Sequence, residues 1–193
     1  GMAAVYSSPK SLSYHLKPFQ AAVNAGTSAI MTYYQLPENA GSLDQLPKEF
    51  WVSPTQQFEE VGAAFNEKLL KYLRTGMGFT GIINSDSRIM LDEGEPHGVE
   101  TLTSMERQAK AINAGMDLSS ANTGEYDAAT KTFMAIQHED ILAAYNAKKI
   151  TVDQINTSAR RLLKEIFRLG LFEARYVNEA YADTVSTSDK DKA

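Results

Sequence analysis

The sequence predicts an α/β fold, a partial (β/α)8 (TIM-barrel-like) domain with parallel strands and a helical C-terminal segment. Three short apolar runs, at residues 27–34, 79–84 and from 116 onward, alternate with stretches of helical periodicity. Alternation of this kind is typical of β-α-β units and a parallel sheet. A complete barrel usually needs about 250 residues, and this chain has 193, so three strands favour part of a barrel.

The N-terminal half is predicted in order as follows. Residues 1–10 are expected to form a disordered leader, and a helix begins near Ser11 that Pro18 should interrupt. The strand at 27–34 leads into an irregular connection at 35–54. A helix at 55–75, with apolar residues along one broad face, ends at Gly76 and Gly78. The strand at 79–84 is followed by a polar loop at 85–98.

The C-terminal half continues the pattern. A helix at 100–113 has Glu100 in its first turn, where the helix dipole favours a negative charge, and Gly115 stops it. A strand at 116–118 precedes a loop through Gly124, and two helices at 129–148 and 151–169 follow. We therefore predict a barrel domain at 11–177 and a flexible tail at 178–193.

Composition narrows the classes of partner and cofactor. The net charge of -5, with no basic run, argues against nucleic acid. The absence of cysteine excludes disulfides and thiolate ligands, and His15 and His138 lack a partner at metal-ligand spacing, so we expect no metal and no cofactor. No apolar run approaches the roughly 18 residues of a membrane span. The sequence does not determine the cellular compartment. A secreted or periplasmic location is compatible with a signal peptide having been removed.

Four segments resemble glycoside hydrolase family 3. GMGFTGIINSD (76–86) resembles the family's W-G-F-x-G-x-V-x-S-D, and AINAGMDL (111–118) is similar to A-x-x-A-G-x-D. Residues 148–173 are similar to the segment that closes the family's barrel domain, and HLKPFQAAVNAGTSAIMTYY (15–34) is similar to L-x-P-F-x-x-A-I-x-A-G followed by a strand. The resemblance covers roughly residues 12–177. It implies the later half of the family's first domain, and hence a retaining, β-glucosidase-like hydrolase of β-linked sugars in full-length form.

The resemblance also implies site residues. Asp86, after the strand 79–84, matches the family's nucleophile, whereas the alternative from the residues alone is a turn-capping aspartate. Ser87 stands where the family commonly has tryptophan, which alters the expected aromatic wall of the sugar pocket. Tyr33 and Tyr34 end the preceding strand, and alternation lets one of them face the barrel mouth; we favour Tyr34. Asp117 is expected to link strand and loop.

The sequence also allows other interpretations of the site and of the function. His97 lies in the wrong loop for the family's histidine acid and is expected to be solvated. A phosphohydrolase would need a second aspartate where Arg88 stands. The segments that supply the acid/base and much of the sugar pocket are absent, so we expect a fragment that is inactive or weakly active. The alternative is a non-catalytic half barrel for sugar binding or protein association. Its open strand edges predict self-association or pairing with a missing barrel half or second domain.

Overall fold

The computed structural model describes residues 3–92, 97–120, 123–127, 132–135, 137–174, 176 and 178–181, and the side chains of these outside 121–138. In chain order the helices and strands are β1 (Ala3–Val5), α1 (Ser11–His15), α2 (Lys17–Asn24), β2 (Ala29–Met31), β3 (Leu36–Glu38), α3 (Glu67–Lys71), β4 (Ile82–Asn84), α4 (Ser104–Ala114), β5 (Thr123–Asp127), β6 (Thr132–Ala135), α5 (Gln137–Asn146) and α6 (Val152–Arg168). The predicted α/β character is confirmed.

Parallel pairing joins the segments predicted as strands. β2 and β4 pair in parallel, with Ile30 opposite Ile83, and a parallel bridge joins Asn84 to Leu118. Gly81 permits this register, because a Cβ there would lie 2.3 Å from the carbonyl oxygen of Ser28. The carboxyl ends of three neighbouring β segments therefore meet along one edge, which is where α/β folds usually carry their sites.

A second parallel pair lies in regions that we expected to be irregular. β1 falls within the first ten residues and β3 within the connection 35–54, and the two pair with Ala4 opposite Pro37. The break expected at Pro18 is confirmed, because α1 ends at His15 and α2 carries Pro18 in its first turn.

The main core surrounds β4. Ile83 is completely buried, and α3, α4 and the turn after β4 contribute the neighbouring apolar side chains. Its buried members are Val61, Ala64, Phe65, Leu70, Phe79, Ile83, Ile89, Met90, Val99, Ala111, Ala114 and Met116. The residues directly after β4 thus belong to the same packed unit as the strand, which limits how far the turn carrying Asp86 can move.

The predicted helix at 55–75 is wrong in its first half. A short 3-10 helix, Ala63–Phe65, precedes α3, and α-helix begins only at α3, where the side chain of Asn66 caps the backbone N–H of Leu69. The preceding backbone is bound elsewhere: Asn39 accepts from Phe58 N–H and donates to the Phe58 carbonyl. Gly62 N–H donates to the carbonyl of His97. These long-range hydrogen bonds hold the apolar residues of 55–62 in the core without a helix.

Two other predicted helices need correction. α4 begins after Thr103, whose side chain and Glu106 form a reciprocal capping box, so Glu100 precedes the helix instead of standing in its first turn. The predicted helix 129–148 contains β6, which pairs antiparallel with β5, and within its described residues the helix is α5. β5 likewise begins within the predicted loop. The last predicted helix, 151–169, is confirmed by α6.

Among the described residues, no helix combines the length and apolar character needed to cross a bilayer. The same residues contain no group of three histidine, cysteine, aspartate or glutamate side chains arranged to hold a metal ion.

Candidate active site

Asp86 lies two residues beyond the end of β4 and is half-buried. Its Oδ1 accepts a hydrogen bond from the backbone N–H of Ser87 at 2.7 Å. The carboxylate is therefore oriented by its own turn and remains accessible from one side. A nucleophilic carboxylate needs both properties, because it has to be held in place and the substrate has to reach it. The same short hydrogen bond also fits the turn-capping alternative, so it does not by itself separate the two.

Ser85 ties this turn to the neighbouring β segment. It is fully buried, and its N–H donates to the carbonyl of Leu118 at 2.9 Å. Its hydroxyl donates to the carbonyl of Asp86 and accepts from Ser120 N–H, each at 2.9 Å. Arg88 N–H donates in turn to the Ser120 carbonyl at 3.3 Å. The turn is thus fixed on both sides of Asp86 by Leu118, which is bridged to β4, and by Ser120.

The two tyrosines occupy different surroundings. The hydroxyl of Tyr34 donates to the carbonyl of Ser87 at 2.7 Å, and its ring packs against the main core. Tyr33 is 53% exposed and lines a small apolar hollow with Phe19 and Met31. The structure therefore brings Tyr34 and Ser87 together at the turn of Asp86. It records no contact between Tyr33 and that turn among the described residues.

Asp117 lies beneath the site with a completely buried carboxylate. Oδ2 accepts from Arg74 Nη2 and from the backbone N–H of Ile83, and Oδ1 accepts from the Ser158 hydroxyl and from Arg161 Nη1. Burial lowers the pKa of Arg74 from its ordinary value, Asp117 opposes that change and Arg161 adds to it. All of these contacts are internal to the chain, which is the linking role expected for Asp117.

The loop after the turn offers His97 and Glu100. His97 Nδ1 lies 4.0 Å from Glu100 Oε1, and its side chain is mostly buried, so the expectation of a solvated histidine is wrong. Hydrogen bonds from the backbone N–H groups of Glu100 and Gly98 lower the pKa of Glu100. A general acid of a glycosidase needs a raised pKa, so Glu100 is unsuited to that role. The described contacts of Asp86 include no second carboxylate.

The sequence patterns did not identify Ser85, Ser120 and Arg107 as residues that contact the turn of Asp86 or the loop after it. The two serines are visible as polar residues directly after β segments, a position that favours contacts across the sheet edge. Arg107 shares a helical face with the buried Ala111 and Ala114, and an arginine on an apolar face is the signal that could have revealed it.

These observations define an α/β domain with a carboxylate at the carboxyl edge of its parallel strands. The model for the glycosyl hydrolase family 3 N-terminal domain matches residues 4–165. The chain therefore belongs to that family, and the resemblance seen in the sequence is confirmed.

Relatives support the assignment. The chain is 33% identical over 192 residues to a periplasmic beta-glucosidase/beta-xylosidase of Dickeya chrysanthemi, covering 90% of this chain and 26% of that protein. It is 30% identical over 187 residues to a probable beta-glucosidase C of Aspergillus flavus, covering 92% and 25%. The chain thus spans about a quarter of the length of these curated relatives.

Solved structures show the same fold. The beta-glucosidase of Listeria innocua matches with a TM-score of 0.62 at 20% identity, over 92% of this chain and 20% of that one. A glycoside hydrolase family 3 beta-N-acetylglucosaminidase from Paenibacillus sp. str. FPU-7 matches with a TM-score of 0.62 at 22% identity, over 96% and 31%. At these identities the likeness concerns the fold.

Proposed function

We propose that this chain carries the nucleophile of a retaining glycoside hydrolase that cleaves β-linked sugars, and that Asp86 is that nucleophile. The observation that carries the proposal is the position of Asp86, directly after β4, in a family whose named relatives include beta-glucosidases. In a (β/α)8 barrel, the carboxyl ends of the strands form the active face. The parallel register of β2, β4 and the segment ending at Leu118 supports a barrel of this kind.

The proposed chemistry assigns each residue a step. An Asp86 oxygen attacks the anomeric carbon while the bond to the leaving oxygen breaks, and an acid protonates that oxygen. Water then hydrolyses the glycosyl-aspartate. Tyr34 and Ser87 hold the turn and line the sugar site, and Tyr33 offers an aromatic face at its margin. The acid/base must come within about 5–5.5 Å of Asp86, and we propose that polypeptide outside these 193 residues supplies it.

Covalent trapping tests the nucleophile without requiring the acid. We suggest the dinitrophenyl β-glycoside of a glucose that carries fluorine instead of the hydroxyl beside the anomeric carbon. Dinitrophenolate leaves with the bonding electrons and needs no proton, and the fluorine slows hydrolysis of the adduct. We expect mass spectrometry to find one fluoroglucosyl group on the peptide that contains Asp86.

Two variants complete the experiment. Asp86→Asn should abolish the adduct, whereas Asp44→Asn, an exposed carboxylate paired with Lys48, should label at the rate of the unmodified chain. An unlabelled chain, or equal labelling of Asp86→Asn, would contradict the proposal. An unlabelled chain that still binds glucosides would instead support the non-catalytic alternative.

A further inference from the structure

Arg107 is a buried cation on α4 that the proposed chemistry does not use. Its side chain is 2% exposed. Nε donates to the Val99 carbonyl at 3.1 Å, Nη2 to the Glu100 carbonyl at 2.8 Å and Nη1 to the Met90 carbonyl at 3.1 Å. Nη1 also donates to Asp92 Oδ1 at 2.7 Å. One guanidinium therefore binds both the residues that enter and the residues that leave the loop after the Asp86 turn.

The chemistry of arginine explains the choice of residue. The guanidinium presents five N–H donors in a rigid plane, so it can bind several acceptors in fixed directions at once. A lysine ammonium is a compact charge that cannot span the carbonyls of Met90 and Glu100 in the same way. The Asp92 side chain that pairs with Arg107 is 86% exposed, so the buried charge has an ion-pair partner that reaches in from the surface.

Arg107 is connected to Asp86 through a short and well-packed stretch of chain. Met90 and Ile89 are buried in the main core, and Leu91 N–H donates to the Arg88 carbonyl. On the other side, Ser85 is fixed to Leu118 and Ser120. The turn is thus anchored before Asp86 by the neighbouring β segment, and after it by the Arg88–Ser120 hydrogen bond and, at Met90, by Arg107.

We propose that Arg107 is a positioning residue for Asp86: by binding the carbonyls of Met90, Val99 and Glu100 it holds the turn that orients the carboxylate. This inference rests on the proposed function for its catalytic meaning. The structural part, that Arg107 restrains the turn, can be tested without turnover, because Ser87 N–H donates to Asp86 Oδ1 and its exchange with solvent reports on that orientation.

Hydrogen exchange of individual amides in Arg107→Lys is the primary test. We expect exchange at Ser87 and Leu91 to accelerate by about tenfold or more, while Ile83 in β4 and the amides of α6 change less than about threefold. Lys110→Met is the matched control on the same helix, since it removes the ion pair with Glu59 and should leave Ser87 and Leu91 unchanged. Unchanged exchange at Ser87 and Leu91 in Arg107→Lys would overturn the inference.

A second variant covers the case in which Arg107→Lys does not fold. Asp92→Ala keeps the arginine but removes the carboxylate that fixes Nη1, the same nitrogen that donates to the Met90 carbonyl. We therefore expect a smaller acceleration, of about twofold to fivefold, confined to the same amides. If Ser87 and Leu91 exchange as in the unmodified chain, the positioning role is refuted.

Covalent trapping adds the catalytic readout. In Arg107→Lys the maximal labelling rate at Asp86 should fall, while the glycoside concentration giving half of that rate stays the same. A rise in that concentration with an unchanged maximal rate would contradict positioning. If the unmodified chain is not labelled at all, the proposed function fails, and the exchange experiment still decides whether Arg107 holds the turn.

Discussion

At the scale of single residues, Asp117 accepts four hydrogen bonds from groups around β4 and α6. Its two oxygens accept from a backbone N–H of β4, from Arg74 before the strand and from Ser158 and Arg161 on α6. The carboxylate is inaccessible to solvent, so its charge is balanced within the protein by two guanidinium groups. Removing one partner from such a buried cluster leaves the remaining charges uncompensated.

We therefore predict that Asp117→Asn destabilises the chain by about 3–5 kcal/mol. The amide would direct N–H donors at groups that are themselves donors, and Arg74 and Arg161 would lose their counter-ion. Denaturant unfolding measures the change. Asp153→Asn, an exposed carboxylate on α6, is the control and should change stability by less than about 0.5 kcal/mol. Equal stabilities for the two variants would show that the cluster contributes little.

Sequence reasoning worked for residues whose position follows from local pattern. Asp86 comes directly after an apolar run, so its place at the end of a parallel strand could be predicted, as could the linking role of Asp117. The burial of Arg107 has a signal in the helix pattern, but its partners could not be predicted, because they are backbone carbonyls of a loop whose course depends on packing. The burial of His97 was missed for the same reason, since Gly62 N–H meets its carbonyl across the fold.

At the scale of elements, two helices begin with the same device and different chemistry. Thr103 and Glu106 form the capping box of α4, whereas Thr151 and Gln154 form that of α6. Hydrogen bonds from the backbone and side chain of Thr103 lower the pKa of Glu106, and Lys149 lowers it further. Because the glutamine side chain does not titrate, only the capping box of α4, of these two, depends on pH.

The sign of that dependence follows from linkage. A carboxyl whose pKa is lower in the folded state stabilises the fold above its ordinary value of about 4.5 and loses that contribution as pH falls below it. We predict that Glu106→Gln, which keeps a capping side chain as α6 does, loses less stability than the unmodified chain between about pH 6 and pH 3.5. Thermal unfolding across this range tests it, and parallel pH curves for the two proteins would refute it.

Helix prediction succeeded where a capping residue precedes the apolar pattern and failed where the pattern stood alone. α6 follows Thr151 and matches its predicted bounds closely. The segment 55–65 has helical spacing of apolar residues, but Asn39 and the His97 carbonyl satisfy its backbone groups in another conformation. Periodicity records which residues are buried, and tertiary hydrogen bonds decide the backbone that buries them.

At the scale of the whole molecule, an apolar helix face and a strand edge are left uncovered. α6 is amphipathic over 17 residues, yet none of its side chains is buried, and Phe167 is 62% exposed. β2 pairs with β4 on one side, and among the described strands it has no neighbour on the other. Exposed apolar patches and open strand edges favour association with another polypeptide.

We predict that the 193-residue chain associates with a second copy through the apolar face of α6. Phe167→Glu should reduce the average mass at a given protein concentration, because it replaces an exposed apolar side chain of that face with a charge. Asn156→Glu adds the same charge at an exposed polar position of α6 and should associate like the unmodified chain. Light scattering coupled to size exclusion, over about a hundredfold range of concentration, measures the mass. A monodisperse monomer for all three proteins would contradict the prediction. If both variants dissociate equally, repulsion between net charges is responsible and the apolar face is not the contact.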